Sequence, residues 1–152
     1  MEPKTVLFIC SFNSVRSQIA EGLLNARCPD RYQACSAGVA PGGVSPYAVT
    51  VMKEAGIDIV SQKSKKLDVF HGMKFDYVVT MCNHANLAAT GALPIGGTKI
   101  HRNFVSPSEV QGNKEHILAE FRVLREDIDA WLTEIFPDCP GIRARREQET
   151  EP

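Results

Sequence analysis

The apolar run Val6-Leu7-Phe8-Ile9 ends in Cys10, and five residues separate Cys10 from Arg16-Ser17-Gln18, where a helical pattern begins. A continuous apolar run without alternation predicts a strand buried on both faces, as in a parallel sheet. The strand must then feed a tight loop that opens onto a helix N-terminus. In such a loop the backbone N–H groups of Ser11, Phe12, Asn13, Ser14, Val15 and Arg16 can curl around one tetrahedral oxyanion, with the positive helix end behind them. Arg16 can return to the same point and offer a planar two-pronged donor. These dipoles favour negative charge on a sulfur at the floor of the cradle. Cys10 is therefore a candidate thiolate nucleophile, aimed at the central atom of a bound oxyanion. A lone cysteine at a strand end reads equally well as a small buried apolar residue. The strand before it, and the Arg and Ser after it, give the stretch its specificity.

The rest of the chain alternates strand and helix patterns. Thr5–Ile9 is the first strand. The first helix places Ile19, Leu23 and Leu24 on one face and turns Glu21 and Asn25 to water, ending at Pro29-Asp30. Tyr32–Ala37 is a second strand, running into Gly38. Ser45-Pro46 opens a helix through Ala48, Val51, Met52 and Ala55 that stops near Gly56. Ser61–Lys66 is a polar, basic turn in which Ser64 is read as the cap of a short helical turn. Lys63, Lys65 and Lys66 are solvated there or form a rim for an anion. Phe75–Met81 is a third strand and delivers Cys82. Asn83–Gly97 reads as a mobile loop, and Thr98–His101 as a fourth strand. Asn113 caps a last helix whose apolar face runs from Ile117 through Phe121, Leu124, Ile128, Trp131 and Leu132 to Ile135. This order predicts one α/β domain over residues 4–137, with three layers. A four-stranded, mainly parallel sheet carries helices on both faces. Residues 138–152, charged and without an apolar face, are expected to form a disordered tail. Ligands of such sheets bind beyond the C-terminal strand ends, the edge that Cys10 and Cys82 share.

Composition narrows the function. The chain has 152 residues and a formal net charge of −1, so no electrostatic case exists for nucleic acid or a membrane surface. No apolar run spans a bilayer and no basic, apolar leader opens the sequence, so the expected location is the cytoplasm. Five cysteines, an odd number and widely spaced, argue against a structural disulfide framework. No Cys-x-x-Cys pair and no histidine repeat occurs. Cys82 and His84 supply half a metal site at most, so no metal and no bound cofactor are expected.

Cys10-x5-Arg16-Ser17, opening the first helix of a small α/β domain, resembles the low-molecular-weight protein tyrosine phosphatase superfamily. Within it, several stretches are similar to the thioredoxin-coupled arsenate reductases: residues 16–22, Ser36-Ala37-Gly38, residues 52–59, 61–65 and 77–82. The resemblance covers about residues 4 to 136. It implies that Cys10 attacks arsenate, that Asn13 adopts a strained backbone conformation and braces the loop, and that Arg16 clamps the oxyanion. Ser17 then hydrogen-bonds the Cys10 thiolate. Cys82 attacks Cys10, expels arsenite and leaves a Cys10–Cys82 disulfide, which an external reductant such as thioredoxin or glutaredoxin reopens. The protein is expected to act as a monomer.

The sequence departs from that pattern twice. The reductases carry a third cysteine a few residues after the second, where this chain has Ala88 and Ala89. Either the Cys10–Cys82 disulfide is reduced directly, or Cys139 or Cys35 relays it. The superfamily also has an Asp before Pro107, serving as general acid, where this chain has Ser106; Glu109 is the nearest carboxylate. Two further readings follow. One is a phosphatase on phosphotyrosine or a small phosphomonoester that uses Cys10 and Arg16 without Cys82. The other is a non-catalytic oxyanion-binding or redox-sensing domain.

Overall fold

Burial of the first strand on both sides sets the architecture. In β1 (Lys4–Cys10), Val6, Leu7, Phe8 and Ile9 are fully buried and Cys10 is 1% exposed. Successive strand residues point to opposite faces, so both faces of β1 are covered. A computed structural model describes residues 2–83, 85 and 97–140. In it β1 lies between β2 (Tyr32–Gly38) and β3 (Tyr77–Thr80), with β4 (Thr98–His101) outside β3. All three pairings are parallel. The strands therefore end on one edge, where Cys10 pairs with Gly38, Ile9 with Thr80, and Thr80 with His101. β3 is shorter than the sequence predicts: Phe75 and Met81 are buried, but the β1 ladder runs only from Tyr77 to Thr80.

Three helices complete the described fold: α1 (Arg16–Arg27), α2 (Pro46–Glu54) and α3 (Lys114–Ile135). α3 packs against both α1 and α2. It buries Leu118, Phe121, Leu124, Ile128, Trp131 and Leu132, close to the predicted stripe. Asn113 caps it, with Oδ1 accepting from the His116 N–H at 2.9 Å. None of the described helices is long and apolar enough to cross a membrane.

α1 departs from the two-sided pattern read from sequence. Glu21 is 8% exposed rather than solvated, because Ser36 of β2 and Lys65 lie against it. Asn25 is half-buried and exchanges two hydrogen bonds with the backbone of Ala34, at 2.8 and 3.0 Å. Ser64 is no helix cap; its hydroxyl donates to the Phe12 carbonyl at 3.1 Å. The short helical turn is a 3-10 turn at Leu67–Phe70, three residues on.

The cysteine expectation is overturned in one respect. Cys28 and Cys139 form a disulfide across 111 residues of sequence. The ends of α1 and α3 bring them together, a neighbourhood that spacing along the chain cannot reveal. Around the bond, the fully buried Arg27 guanidinium donates from Nη1 to Asp129 Oδ1 at 3.1 Å and from Nη2 to Thr133 Oγ1 at 2.8 Å. It also donates from Nη2 to the Cys139 carbonyl and from Nε to the Pro140 carbonyl. The Tyr32 hydroxyl donates to Asp138 Oδ1 at 2.7 Å. Asp138, Cys139 and Pro140, which the sequence assigns to the tail, are thus held on the domain. Residues 141–152 lie outside the described residues.

The carbonyl of Cys28 accepts from the N–H groups of Arg31 and Tyr32, and Tyr32 pairs with Lys4 at the start of β1. The disulfide therefore sits at the sheet edge opposite Cys10, about 20 Å away along a seven-residue strand. That distance and the bond itself remove Cys139 as a relay thiol. Because the bond closes a long loop, Cys28→Ser or Cys139→Ser is expected to lower the thermal midpoint by about 10 °C. Dithiothreitol is expected to do the same to the unmodified chain; calorimetry of oxidised and reduced protein checks both.

Candidate active site

The loop between β1 and α1 is drawn into a curl by one residue. Asn13 has φ 48°, and among the described residues no other non-glycine has a positive φ. That left-handed conformation costs roughly 1 kcal/mol for a residue with a Cβ. Four hydrogen bonds hold it. Nδ2 donates to Ser17 Oγ at 2.8 Å and to Ser36 Oγ at 2.9 Å; Oδ1 accepts from Gln18 Nε2 at 2.9 Å and from the Lys65 N–H at 2.8 Å. Two donors and two lone pairs are all that an amide side chain offers, so the fully buried Asn13 is satisfied. Gly38 makes the close approach possible. A Cβ there would lie 2.7 Å from the Asn13 nitrogen, inside contact distance.

Cys10 is buried at the floor of this curl, and its Sγ lies 2.8 Å from Ser17 Oγ, one turn into α1. No side chain caps α1, and no acidic residue stands in its first turn. Its first amides and its positive dipole end thus face the loop unopposed. Arg16, 8% exposed, is held by a bond from Nη1 to the Phe104 carbonyl at 2.9 Å, across 88 residues of sequence. Outside the curl, Phe12 and Ser14 border an open cleft of about 430 Å³ whose far wall includes Tyr47, Pro107 and Val110.

β3 supplies the second thiol. The Met81 N–H donates to the Ile9 carbonyl at 2.8 Å, which sets Cys82 level with the loop. Cys82 Sγ lies 3.2 Å from Ser11 Oγ, the residue next to Cys10, and accepts from the Ala85 N–H at 3.3 Å. The start of its loop is tied to β4: Thr80 Oγ1 and His101 Nδ1 are 2.7 Å apart, and His101 Nε2 and Asn83 Oδ1 are 3.0 Å apart. His84, Ala88 and Ala89 lie outside the described residues, and no group of metal-binding side chains occurs among those described.

The structure thus gathers Cys10, Ser11, Asn13, Arg16, Ser17 and Cys82 on one edge. Other residues named from sequence lie outside that cluster, with Ser106 on the segment between Phe104, which binds Arg16, and Pro107 of the cleft wall. Cys35 pairs with Leu7 halfway along the edge strand β2 and is half-buried; burial, followed by the Glu21 charge, pushes its thiol pKa up. Ser106 Oγ is hydrogen-bonded to Ser108 Oγ and accepts from the Ser108 N–H at the start of a 3-10 turn, Pro107–Glu109. Glu109 on that turn is exposed.

A second set of residues escapes sequence reasoning. Ser36 Oγ donates to Glu21 Oε1 at 2.9 Å, and Lys65 Nζ lies 4.0 Å from the same oxygen. Burial raises the Glu21 pKa, and the Lys65 charge and Ser36 hydrogen bonds only partly oppose it. Gln18 is fully buried and bridges Asn13 to the Lys63 carbonyl at 3.0 Å. A buried polar residue on a helix face read as solvated leaves no mark in the hydrophobic pattern. Only the run Ser36-Ala37-Gly38 hinted at it.

Known proteins share this fold and much of this sequence. The family profile described as low molecular weight phosphotyrosine protein phosphatase matches residues 5–129. An arsenate reductase of Halalkalibacterium halodurans is 40% identical over 128 residues, covering 84% of this chain and 91% of that protein. An arsenate reductase of Bacillus subtilis is 37% identical over 134 residues, covering 88% and 96%. Among solved structures, an arsenate reductase in the phosphate binding state superimposes with a TM-score of 0.71 at 26% identity, over 90% of this chain and 98% of that one. A low molecular weight protein tyrosine phosphatase from T. tengcongensis shares the fold, with a TM-score of 0.76 at 24% identity over 89% and 99%. The curled loop, the parallel sheet and the relatives agree: this chain belongs to the low molecular weight phosphotyrosine protein phosphatase family.

Proposed function

We propose that the chain is an arsenate reductase that works through Cys10 and Cys82. The observation that carries this reading is the second thiol: Cys82 Sγ stands 3.2 Å from Ser11 Oγ, beside the Cys10 cradle. A phosphatase has no use for it. The family relatives named arsenate reductase support the same substrate class.

The loop amides from Ser11 to Arg16 and the Arg16 guanidinium hold arsenate by charge-assisted hydrogen bonds. Ser17 donates to the Cys10 sulfur and keeps it as the thiolate. Cys10 attacks arsenic, and one arsenate oxygen leaves as water after protonation. The product is a thiol–arsenate adduct. Cys82, as thiolate, then attacks Cys10 Sγ; the sulfur–sulfur bond forms as the sulfur–arsenic bond breaks. Its electron pair stays on arsenic, which leaves as arsenite, reduced by two electrons. An external dithiol of the thioredoxin or glutaredoxin type must reopen Cys10–Cys82 directly. Cys139 is committed to Cys28, and Cys35 lies halfway along β2, three residues back from the strand end that faces Cys10. Work of this kind fits a reducing compartment, the cytoplasm, and a single chain carries every residue it needs.

Arsenate mixed with protein carrying reduced Cys10 and Cys82 is expected to yield a Cys10–Cys82 disulfide, read by peptide mass spectrometry. Cys82→Ser is expected to stop at the Cys10 adduct, with multiple turnover lost. Bound arsenate without that disulfide would defeat the two-thiol mechanism.

The missing acid gives a separate expectation. Phenyl phosphate needs its leaving oxygen protonated, and Ser106 cannot serve as a carboxylic acid does. Ser106→Asp is expected to raise its hydrolysis at least tenfold, within the roughly 10²–10⁴-fold that a placed general acid supplies. Arsenate reduction should change little. Comparing the two rates in wild type and variant checks this.

A further inference from the structure

The donor directions in the buried network determine what Ser17 can offer Cys10. A carboxylate only accepts, so the hydroxyl of Ser36 gives its one hydrogen to Glu21 Oε1 at 2.9 Å. Its lone pairs then face Asn13 Nδ2 at 2.9 Å. The other Asn13 N–H reaches Ser17 Oγ at 2.8 Å. With its lone pair taken from that side, Ser17 directs its hydrogen to Cys10 Sγ, 2.8 Å away. Lys65 closes the arrangement at both ends. Its backbone N–H donates to Asn13 Oδ1 at 2.8 Å, and its ammonium lies 4.0 Å from Glu21 Oε1. The carbonyl of the same residue accepts from the Gly38 N–H at 2.8 Å.

We propose that Glu21 and Lys65 are positioning residues for the nucleophile. As an ion pair anchored behind the loop, they fix the direction of the hydrogen bonds Ser36–Asn13–Ser17, so that Ser17 always presents a donor to Cys10. Neither touches an oxyanion in the cradle. The charged group acting on Glu21 is Lys65; the neutral Cys35 thiol of β2 is the nearest other titratable group, and the Glu21 charge helps keep it neutral. Burial favours the neutral acid, and a neutral Glu21 can donate to Ser36 instead of accepting. The Ser36 hydrogen then has no carboxylate to go to, and turned toward Asn13 Nδ2 it meets a donor that cannot accept it, so the bond that holds the Asn13 amide against Ser17 is lost. The Lys65 ammonium is the group that keeps Glu21 an acceptor.

This inference rests on Cys10 being the reactive thiol, and its test needs no arsenate. The rate at which iodoacetamide alkylates Cys10 is measured against pH, with mass spectrometry locating the label. Glu21→Gln keeps the shape but lets the side chain donate. It is expected to slow labelling about three- to tenfold near pH 6.5, the order that weakening one ordinary hydrogen bond gives. Lys65→Met, which retains the backbone N–H, is expected to move the rate–pH curve to higher pH, and Lys65→Arg to restore it. If both variants follow the wild-type curve, the proposal is overturned, even where their thermal midpoints fall, since that would show a merely structural role. Should Glu21→Gln not fold, the Lys65 pair decides alone, because that side chain is partly exposed. Label found on a thiol other than Cys10 in the wild type would overturn the nucleophile assignment along with this one. Alkylation that behaves as expected without arsenate reduction would sink only the substrate.

Discussion

The left-handed turn at Asn13 is the constraint on which the site depends. Without φ 48° at that residue, the amides from Ser11 to Arg16 run past each other rather than toward one point. The strain is modest, but four hydrogen bonds to one amide side chain secure it, and their partners come from three parts of the chain: α1, the end of β2 and the segment around Lys65. Substituting any partner weakens the curl without touching the oxyanion. The glycine at position 38 belongs to the same constraint, since a methyl group there meets the Asn13 backbone. β2 therefore does more than widen the sheet; its last residues form the wall against which the loop is pressed.

The sheet order converts this local constraint into a two-thiol site. With β1 between β2 and β3, the loop after β1 has a bracing strand end on one side and Cys82 on the other. A strand order placing β3 elsewhere would keep the cradle and lose the second sulfur. Parallel pairing brings both cysteines to one edge without any sequence proximity. The same geometry sends the C-terminus of α1, and hence Cys28, to the far edge.

Much of this was legible in the sequence, and the physical basis for that differs by element. β1, the helical stripe of α3 and the Asn113 cap are written in local pattern, and local pattern is what a sequence displays. Cys10, Arg16 and Ser17 are spaced closely enough that one loop must carry them. Glu21 was misread because helical periodicity scores a charged residue as solvated, whereas Ser36 and Lys65 make its burial tolerable from 15 and 44 positions away. The Cys28–Cys139 bond was missed for the same reason. An odd cysteine count speaks against a framework of disulfides, but it does not forbid one bond closed by tertiary packing.

The bond from Arg16 to the Phe104 carbonyl spans 88 residues, and the Asn13 brace reaches across 52 to Lys65. Such contacts form only once the chain has closed its long loops, late in folding. A nascent or partly unfolded chain therefore carries Cys10 as an ordinary thiol, with neither its hydrogen-bond donor nor its cradle. The surroundings of Cys10 are assembled only when the native topology is complete. Local opening of the Lys65 segment or of the residues after β4 takes them apart while most of the domain stays folded. If Cys10 is the nucleophile proposed above, its reactivity reports on the integrity of the fold, and a damaged copy is silent before it is unfolded.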